Sequence, residues 1–438
     1  MRSIFKSIVV AILLLEAKIV LSRKTPTIIA VTGSVGKTTT KDAIATVLAT
    51  TFSVRASKKS FNSELGIPLT ILGLDNAWNS PIGWFRNIFE GLSVALFPGE
   101  YPKMLVLEVG ADKPNDIRDV SAWLKPHAVV ITRIPETPVH VENFPSKDAI
   151  KKEKGYLASA LRSGGALILN ADDKEVLSLR GKSPDNLIIT FGFGDGSAMK
   201  GSHEQVWYEG ESGGKPVGMQ CKIDFSGSSM PLRIRGSLGL PALYSSLAAL
   251  AVGSFFEVNL VEATSALAQQ QNPPGRMAIL PGIAGSTLID DTYNASPVAM
   301  LSALDTLREI RTDGRKIAVL GDMLELGQYS RTEHIKLGAV CAPFVDMLLT
   351  VGERGKWFAE GARNANLEAQ RIHTFPTSDL AGKWLSEKLR ENDIVLLKGS
   401  QGSGGQKIRM EQATKLLLAD PTVAGTTLVR QEAEWQVH

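Results

Sequence analysis

Short apolar runs recur along the chain, each ended by a polar or glycine-containing turn. They lie at residues 27–31, 104–107, 128–131 and 166–169. Runs of this length between turn residues predict buried strands, and residues 38–50 predict the helix after the first of them. Strands alternating with helices imply a parallel sheet covered on both faces. Residues 191–237 carry more glycine and polar alternation, which predicts a β-rich excursion before a helix around 242–252. Asn272-Pro273-Pro274-Gly275 then interrupts the pattern. Beyond it the alternation restarts with strand 286–289, helix 297–310, strand 316–320, a helix near 331–340, and strands 347–351 and 393–397. The expected fold class is α/β: a central parallel-sheet domain followed by a Rossmann-like α/β C-terminal domain. The boundaries this gives are 1–23 for an apolar N-terminal helix, 24–273 for the central domain and 274–438 for the C-terminal domain.

Two apolar segments do not belong to this alternation. Residues 7–15 are uncharged and mostly aliphatic, and 19–21 continue them, with Glu16 and Lys18 between and Arg2, Lys6, Arg23 and Lys24 outside. A membrane-spanning helix needs about 20 mainly apolar residues, and this run falls short. No small-x-small cleavage site follows it. An interfacial or anchoring helix, a helix packed on the protein itself and a true span are all compatible with it. The basic flanks favour an anionic cytoplasmic membrane face. The second segment, 81–97, places Trp84, Phe85, Ile88, Phe89, Leu92 and Leu96 at helical spacing. Such a stripe ordinarily faces a core; lying on a membrane beside the first helix is the alternative.

A length of 438 residues and 44% hydrophobic content suit two or three α/β domains. A formal net charge of +3 is too small for a nucleic-acid footprint. The two cysteines, Cys221 and Cys341, have no metal-ligand spacing and fit a reducing compartment.

The first strand leads into Val31-Thr32-Gly33-Ser34-Val35-Gly36-Lys37-Thr38-Thr39-Thr40. This is a phosphate-binding loop between strand and helix. Gly33 and Gly36 let the backbone turn tightly, so that N–H groups around Ser34, Val35 and Thr39 can meet phosphate oxygens. Lys37 adds a positive charge, and Thr38 offers a hydroxyl to magnesium. Ser34 and Val35 alone separate Gly33 from Gly36-Lys37, where the general loop has four residues. The central domain is therefore expected to be a P-loop ATP-binding domain. Glu108 ends an apolar strand, the place where a carboxylate can hold magnesium near such a loop. His140 stands alone, and Lys154 shares a helix with Lys151 and Lys152 that reads as a solvated face. Spacing gives neither a role.

The chain resembles the Mur ligase family, and within it the branch that adds D-alanyl-D-alanine to a muramoyl-tripeptide. The resemblance is carried by the phosphate loop and by Ser60-Phe61-Asn62-Ser63-Glu64-Leu65-Gly66-Ile67-Pro68, Leu107-Glu108-Val109-Gly110-Ala111 and Leu169-Asn170-Ala171-Asp172-Asp173. It continues in Pro274-Gly275-Arg276, Ile289-Asp290-Asp291-Thr292-Tyr293-Asn294-Ala295-Ser296-Pro297, Val319-Leu320-Gly321-Asp322-Met323-Leu324-Glu325-Leu326-Gly327 and Lys398-Gly399-Ser400. It implies that Asn170, Arg276 and Asp291 join the loop in binding ATP. Thr38 and Glu108 would hold one magnesium ion, and His140 and a carbamoylated Lys154 a second. Asn62, Ser63, Asn294, Asp322 and Lys398 would lie on the substrate side.

The activity implied is amide-bond formation through an acyl phosphate. Its substrates would be a cell-wall precursor and a dipeptide such as D-alanyl-D-alanine. A cytoplasmic monomer that binds no nucleic acid is expected, with contact to the inner membrane surface as a further expectation. A ligase with a different or lipid-linked acceptor, and a non-catalytic membrane-attached nucleotide-binding partner, are the alternatives. Three departures from the family stand out. Only residues 1–26 precede the first strand run, where the family usually carries a UDP-holding domain. A Gly-x-His-Asn-x-x-Asn pattern is replaced by Gly239-Leu240-Pro241-Ala242-Leu243-Tyr244-Ser245. Gln401-Gly402-Ser403-Gly404-Gly405 lengthens the loop before Arg409-Met410-Glu411.

Overall fold

The computed structural model describes residues 2–58, 61–78, 80–134, 144, 146–210, 214–401 and 408–431. Its first sheet is built from β1 (Thr27–Thr32), β2 (Val54–Ala56), β3 (Met104–Glu108), β4 (Ala128–Ile131), β5 (Ala166–Asn170) and β6 (Leu187–Gly192). β7 (Met199–Glu209), β8 (Lys215–Phe225) and β9 (Ser228–Arg235) extend it. The order is β2-β3-β1-β4-β5-β6-β7-β8-β9. Pairing is parallel up to β7 and antiparallel from β7 to β9. The sequence chemistry matches. β3 to β5 are continuous apolar runs buried on both faces, whereas β9 alternates buried and exposed. β1 lies between β3 and β4, where the strand order reverses, so the loop after β1 opens into the crevice where ligands bind in such sheets.

The second sheet holds β10 (Ala278–Pro281), β11 (Thr287–Asp291), β12 (Lys316–Gly321), β13 (Met347–Val351), β14 (Ile372–Phe375) and β15 (Ile394–Lys398). Its order is β10-β11-β15-β12-β13-β14, with only β10 antiparallel to its neighbour. One buried cluster runs from Ile29 and Val31 under the first sheet to Ile289 and Leu320 in the second. The two sheets thus share apolar packing around the segment that joins them.

The helices that matter for the site are α1 (Arg2–Lys24), α2 (Lys37–Ala49), α3 (Gly66–Leu72), α4 (Pro81–Leu96), α5 (Asp116–Ser121) and α6 (Lys147–Ser159). α1 packs on α3 and α4 through Val9, Leu13, Ala17 and Val20. Among the described residues, no helix is long and apolar enough to cross a membrane.

α4 corrects one expectation. Its aromatic stripe is predicted to face the core, yet only Trp84 is buried. Phe85, Phe89, Leu92 and Leu96 are 56%, 70%, 40% and 43% exposed. The inner face is Trp84, Asn87, Gly91 and Ala95. The small residues admit α1 closely: a Cβ on Gly91 would lie 2.2 Å from Glu16 Oε2. Asn87 is satisfied there by donating to the Asp75 carbonyl at 2.7 Å.

Candidate active site

The loop after β1 is held by its neighbour strand. Ser34 N–H donates to the Arg133 carbonyl at 2.7 Å, and the Thr132 hydroxyl donates to the Val35 carbonyl at 2.7 Å. Gly33 has φ 146°, and a Cβ there would lie 1.9 Å from Thr132 Oγ1, so only glycine fits. Gly36 begins α2 in the left-handed region with φ 83°. The free N–H groups of the α2 N-terminus and the Lys37 side chain then border the same cavity.

α6 brings a second lysine to this loop. Ser146 caps α6 by accepting from Ala149 N–H at 3.1 Å. Glu153 takes the N–H groups of Asn115, Ile117 and Arg118 at 3.0, 2.7 and 3.1 Å, which fixes α6 against α5. Lys154 is thereby buried and donates to the Gly33 carbonyl at 3.0 Å. Burial, followed by the charge of Lys37, pushes the Lys154 ammonium down to about 7. Burial also lowers Lys37, while Glu108 acts in the opposite direction. Lys154, Lys37 and Gly33 line a small pocket behind the loop.

Glu108 is 1% exposed at the end of β3. Asn62 donates to its Oε1 at 3.3 Å, while Oε2 has no partner among the described residues. A carboxylate oxygen left bare beside a phosphate loop fits a hard divalent cation, and the Thr38 hydroxyl borders the same space. These donors fit the magnesium expected from the sequence.

The second domain closes the cavity, which has a volume of about 480 Å³. Arg276 lies between the two sheets. Its Nη2 donates to Thr38 Oγ1 at 3.4 Å, and its guanidinium lies 4.0 Å over the Tyr293 ring. Lys398, 2% exposed, pairs with Asp291 at 2.5 Å and donates to the Asn294 carbonyl at 3.0 Å. Asp291, Asn294 and Lys398 all border the cavity.

Most predicted residues therefore converge. Ser34, Val35, Gly36, Lys37, Thr38, Thr39, Asn62, Glu108, Arg276, Asp291, Asn294 and Lys398 line one cavity, and Gly33 and Lys154 line the pocket behind it. Three lie elsewhere. Asn170 accepts from Asp172 N–H at 2.9 Å in a local turn. Ser63 accepts from Gly66 N–H at 3.5 Å near the start of α3. Asp322 accepts from Arg354 and Gly355 N–H at 2.9 and 2.8 Å and caps the helix Gly355–Asn364. In each case a short side chain is used by the nearest orphan N–H groups instead of by the cavity. His140 lies outside the described residues. Asp112, Arg133 and Tyr293 border the cavity without having been expected there. Arg133 follows the C-terminal end of β4, the signal that could have found it.

A phosphate loop answered by an arginine from a second α/β domain defines a nucleotide-dependent enzyme whose reaction takes place between two domains. Residues 31–253 match the Mur ligase middle domain and residues 275–401 match the Mur ligase glutamate ligase domain. The chain belongs to the Mur ligase family, whose members form amide bonds at the expense of ATP. It is 29% identical over 398 residues to the UDP-N-acetylmuramoyl-tripeptide–D-alanyl-D-alanine ligase of Bacillus subtilis, covering 90% of this chain and 76% of that one. The ligase of the same name from Haemophilus influenzae is 25% identical over 394 residues, 88% of this chain and 75% of the other. Among solved structures, MurF from Acinetobacter baumannii has a TM-score of 0.75 at 24% identity, covering 93% of this chain and 79% of that one. MurF from Thermotoga maritima in complex with ADP has a TM-score of 0.72 at 23% identity, covering 93% and 83%. The likeness to these two structures is one of fold.

Proposed function

We propose that this chain uses ATP to join D-alanyl-D-alanine, or a similar dipeptide, to the peptide carboxylate of a muramoyl-tripeptide precursor. The names of the relatives support the substrates, and the cavity supports the chemistry. The observation that carries the reading is buried Lys154, with its lowered pKa, against the carbonyl of a phosphate-loop glycine. A loop built only to bind phosphate has no need of a second, buried lysine whose neutral form is accessible near pH 7. A neutral amine can take up carbon dioxide, lose a proton and become a carbamate, an anionic oxygen ligand of the kind magnesium prefers.

The acceptor carboxylate would attack the γ-phosphorus of ATP, breaking its bond to the β-phosphate oxygen and releasing ADP. The dipeptide amine would then attack the acyl carbon, lose a proton and expel phosphate. Lys37 and Arg276, which border the cavity, would offset charge on the transferring phosphoryl group. Thr38 and Glu108 would hold one magnesium ion and carbamoylated Lys154 would contribute to a second; such ions neutralise phosphate charge. Asp291 fixes Lys398 at the opposite wall, where the amine substrate would approach. One chain supplies every one of these groups, so the reading needs no second copy.

Phosphate release with UDP-linked muramoyl-tripeptide, measured with and without D-alanyl-D-alanine, tests it. Release should require both substrates and should vanish in folded Lys37→Ala. Release that ignores the dipeptide overturns the ligase reading. Release only with a lipid-linked tripeptide reassigns the acceptor.

A further inference from the structure

α4 turns its more apolar face to solvent. The outer side chains from Ile82 to Leu96 recur every three or four residues, with Ile82 82% exposed and Phe89 70% exposed. α1 extends this surface with Ile8 and Leu15, 53% and 61% exposed. The rings of Phe5 and Phe85, 6.4 Å apart, join the two helices into one face. A continuous apolar surface across two helices marks an interaction site.

Charge identifies the partner. α1 carries Arg2, Lys6, Lys18, Arg23 and Lys24 against one carboxylate, Glu16, which is buried. Arg86 stands beside the apolar face with its side chain 71% exposed, and Lys6, 66% exposed, lies on the flank of α1 that meets Glu64. Their partners Glu64 and Glu90 are at 4.0 and 3.6 Å, exposed pairs that contribute little. At the far end, Lys24 Nζ donates to the carbonyls of Phe97 and Gly99 at 3.2 and 3.3 Å, so a cation stands beside exposed Phe97. Aromatic and aliphatic side chains bordered by long cations suit a lipid interface. The rings enter the boundary between headgroups and acyl chains while the cations reach the phosphates.

We propose that the α1–α4 face docks on an anionic bilayer as a peripheral contact, with both helices lying along the surface. α1 also packs on α3, which begins just after cavity residue Asn62, so the docked face is one helix layer from the cavity wall.

Flotation of the full chain tests this, using vesicles of phosphatidylcholine alone and of phosphatidylcholine with phosphatidylglycerol. The chain should float with the anionic vesicles and dissociate in high salt. Phe85→Ser combined with Phe89→Ser should weaken partitioning on the order of a hundredfold, with only a small shift of the unfolding transition, because both side chains are more than half exposed. Arg86→Glu should weaken it while leaving the apolar face intact. Failure to float, equal flotation on neutral vesicles, or a folded double variant that floats like the parent overturns the proposal. A lipid-free dimer that the double variant dissociates would assign the face to a second copy. Flotation needs no turnover, so the result is independent of the ligase reading.

Discussion

Lys37 and Lys154 meet at one loop, yet the proposed chemistry asks opposite charge states of them. Burial lowers the pKa of Lys37, but Lys37 borders the cavity, Glu108 favours its charged form, and it would serve as a cation against bound phosphate. Lys154 faces the loop from behind, where burial and the Lys37 charge favour the neutral amine. Its neutral fraction rises as pH increases through about 7, so carbamate formation should follow the same rise. Carbon-13 NMR with labelled bicarbonate should show a carbamate signal that grows across this range and is missing in Lys154→Ala. That variant should lose most phosphate release and regain part of it with added short carboxylates. Full activity without rescue removes Lys154 from the reaction. The sequence could not show this by spacing, because Lys151, Lys152 and Lys154 look alike as a solvated face. The structure separates them through Glu153, whose capping of α5 turns Lys154 inward. Glu108 and the phosphate loop were legible because strand ends and glycines report backbone placement, whereas Asn62 came only from the family resemblance. Asp322 and Asn170 stand outside the cavity lining, because a motif does not say which neighbouring N–H a short acceptor will serve.

At the scale of elements, the strands were legible from apolar runs, since a parallel strand buries both faces. β14 was missed because Ile372-His373-Thr374-Phe375 is too short and mixed to read as such a run. The orientation of α4 was missed for a different reason. Periodicity gives the width of an apolar stripe, not which side a neighbouring helix occupies. α1 takes the side with Gly91 and Ala95, and there it buries Glu16. Burial raises the Glu16 carboxyl to about 7, and its Oε2 has no partner among the described residues. The unfolded chain ionises Glu16 near 4.5 while the folded chain holds the proton until about 7. Stability from this group therefore falls as pH rises across that window and levels off above it. Glu16→Gln should match the parent below the window and melt at a higher temperature above it. Melting curves in a pH series check this, and a gap that does not change with pH rules out Glu16 as its source.

For the whole molecule, the decisive feature is the segment that carries Arg276 between the sheets. Gly275 and Met277 on either side are both left-handed, with φ 69° and 55°. Tyr293 N–H donates to the Gly275 carbonyl at 3.1 Å, and Arg430 donates to the carbonyls of Thr292 and Tyr293 at 2.6 and 3.1 Å. The chain end thus braces the loop on which Arg276 stacks, and that loop fixes where the second domain meets the phosphate site. Proline and glycine at 273–275 marked a break in the sequence, but nothing local announced an arginine braced from residue 430. Arg276→Ala should leave the melting temperature nearly unchanged, because the side chain is only half-buried and sits at the cavity. A charge-assisted bond to a phosphate contributes about 1.5–3 kcal/mol, so kcat/KM for ATP should fall roughly tenfold to a hundredfold. Arg276→Lys keeps the charge but loses the planar stack on Tyr293, and should recover only part of that loss. Arg430→Met would test the brace: it should lower kcat/KM for ATP in the same direction without touching the cavity. Steady-state ATP kinetics on folded variants measures all three. An Arg430→Met enzyme that melts lower but keeps its ATP kinetics would confine Arg430 to stability and leave Arg276 placed by its stack alone.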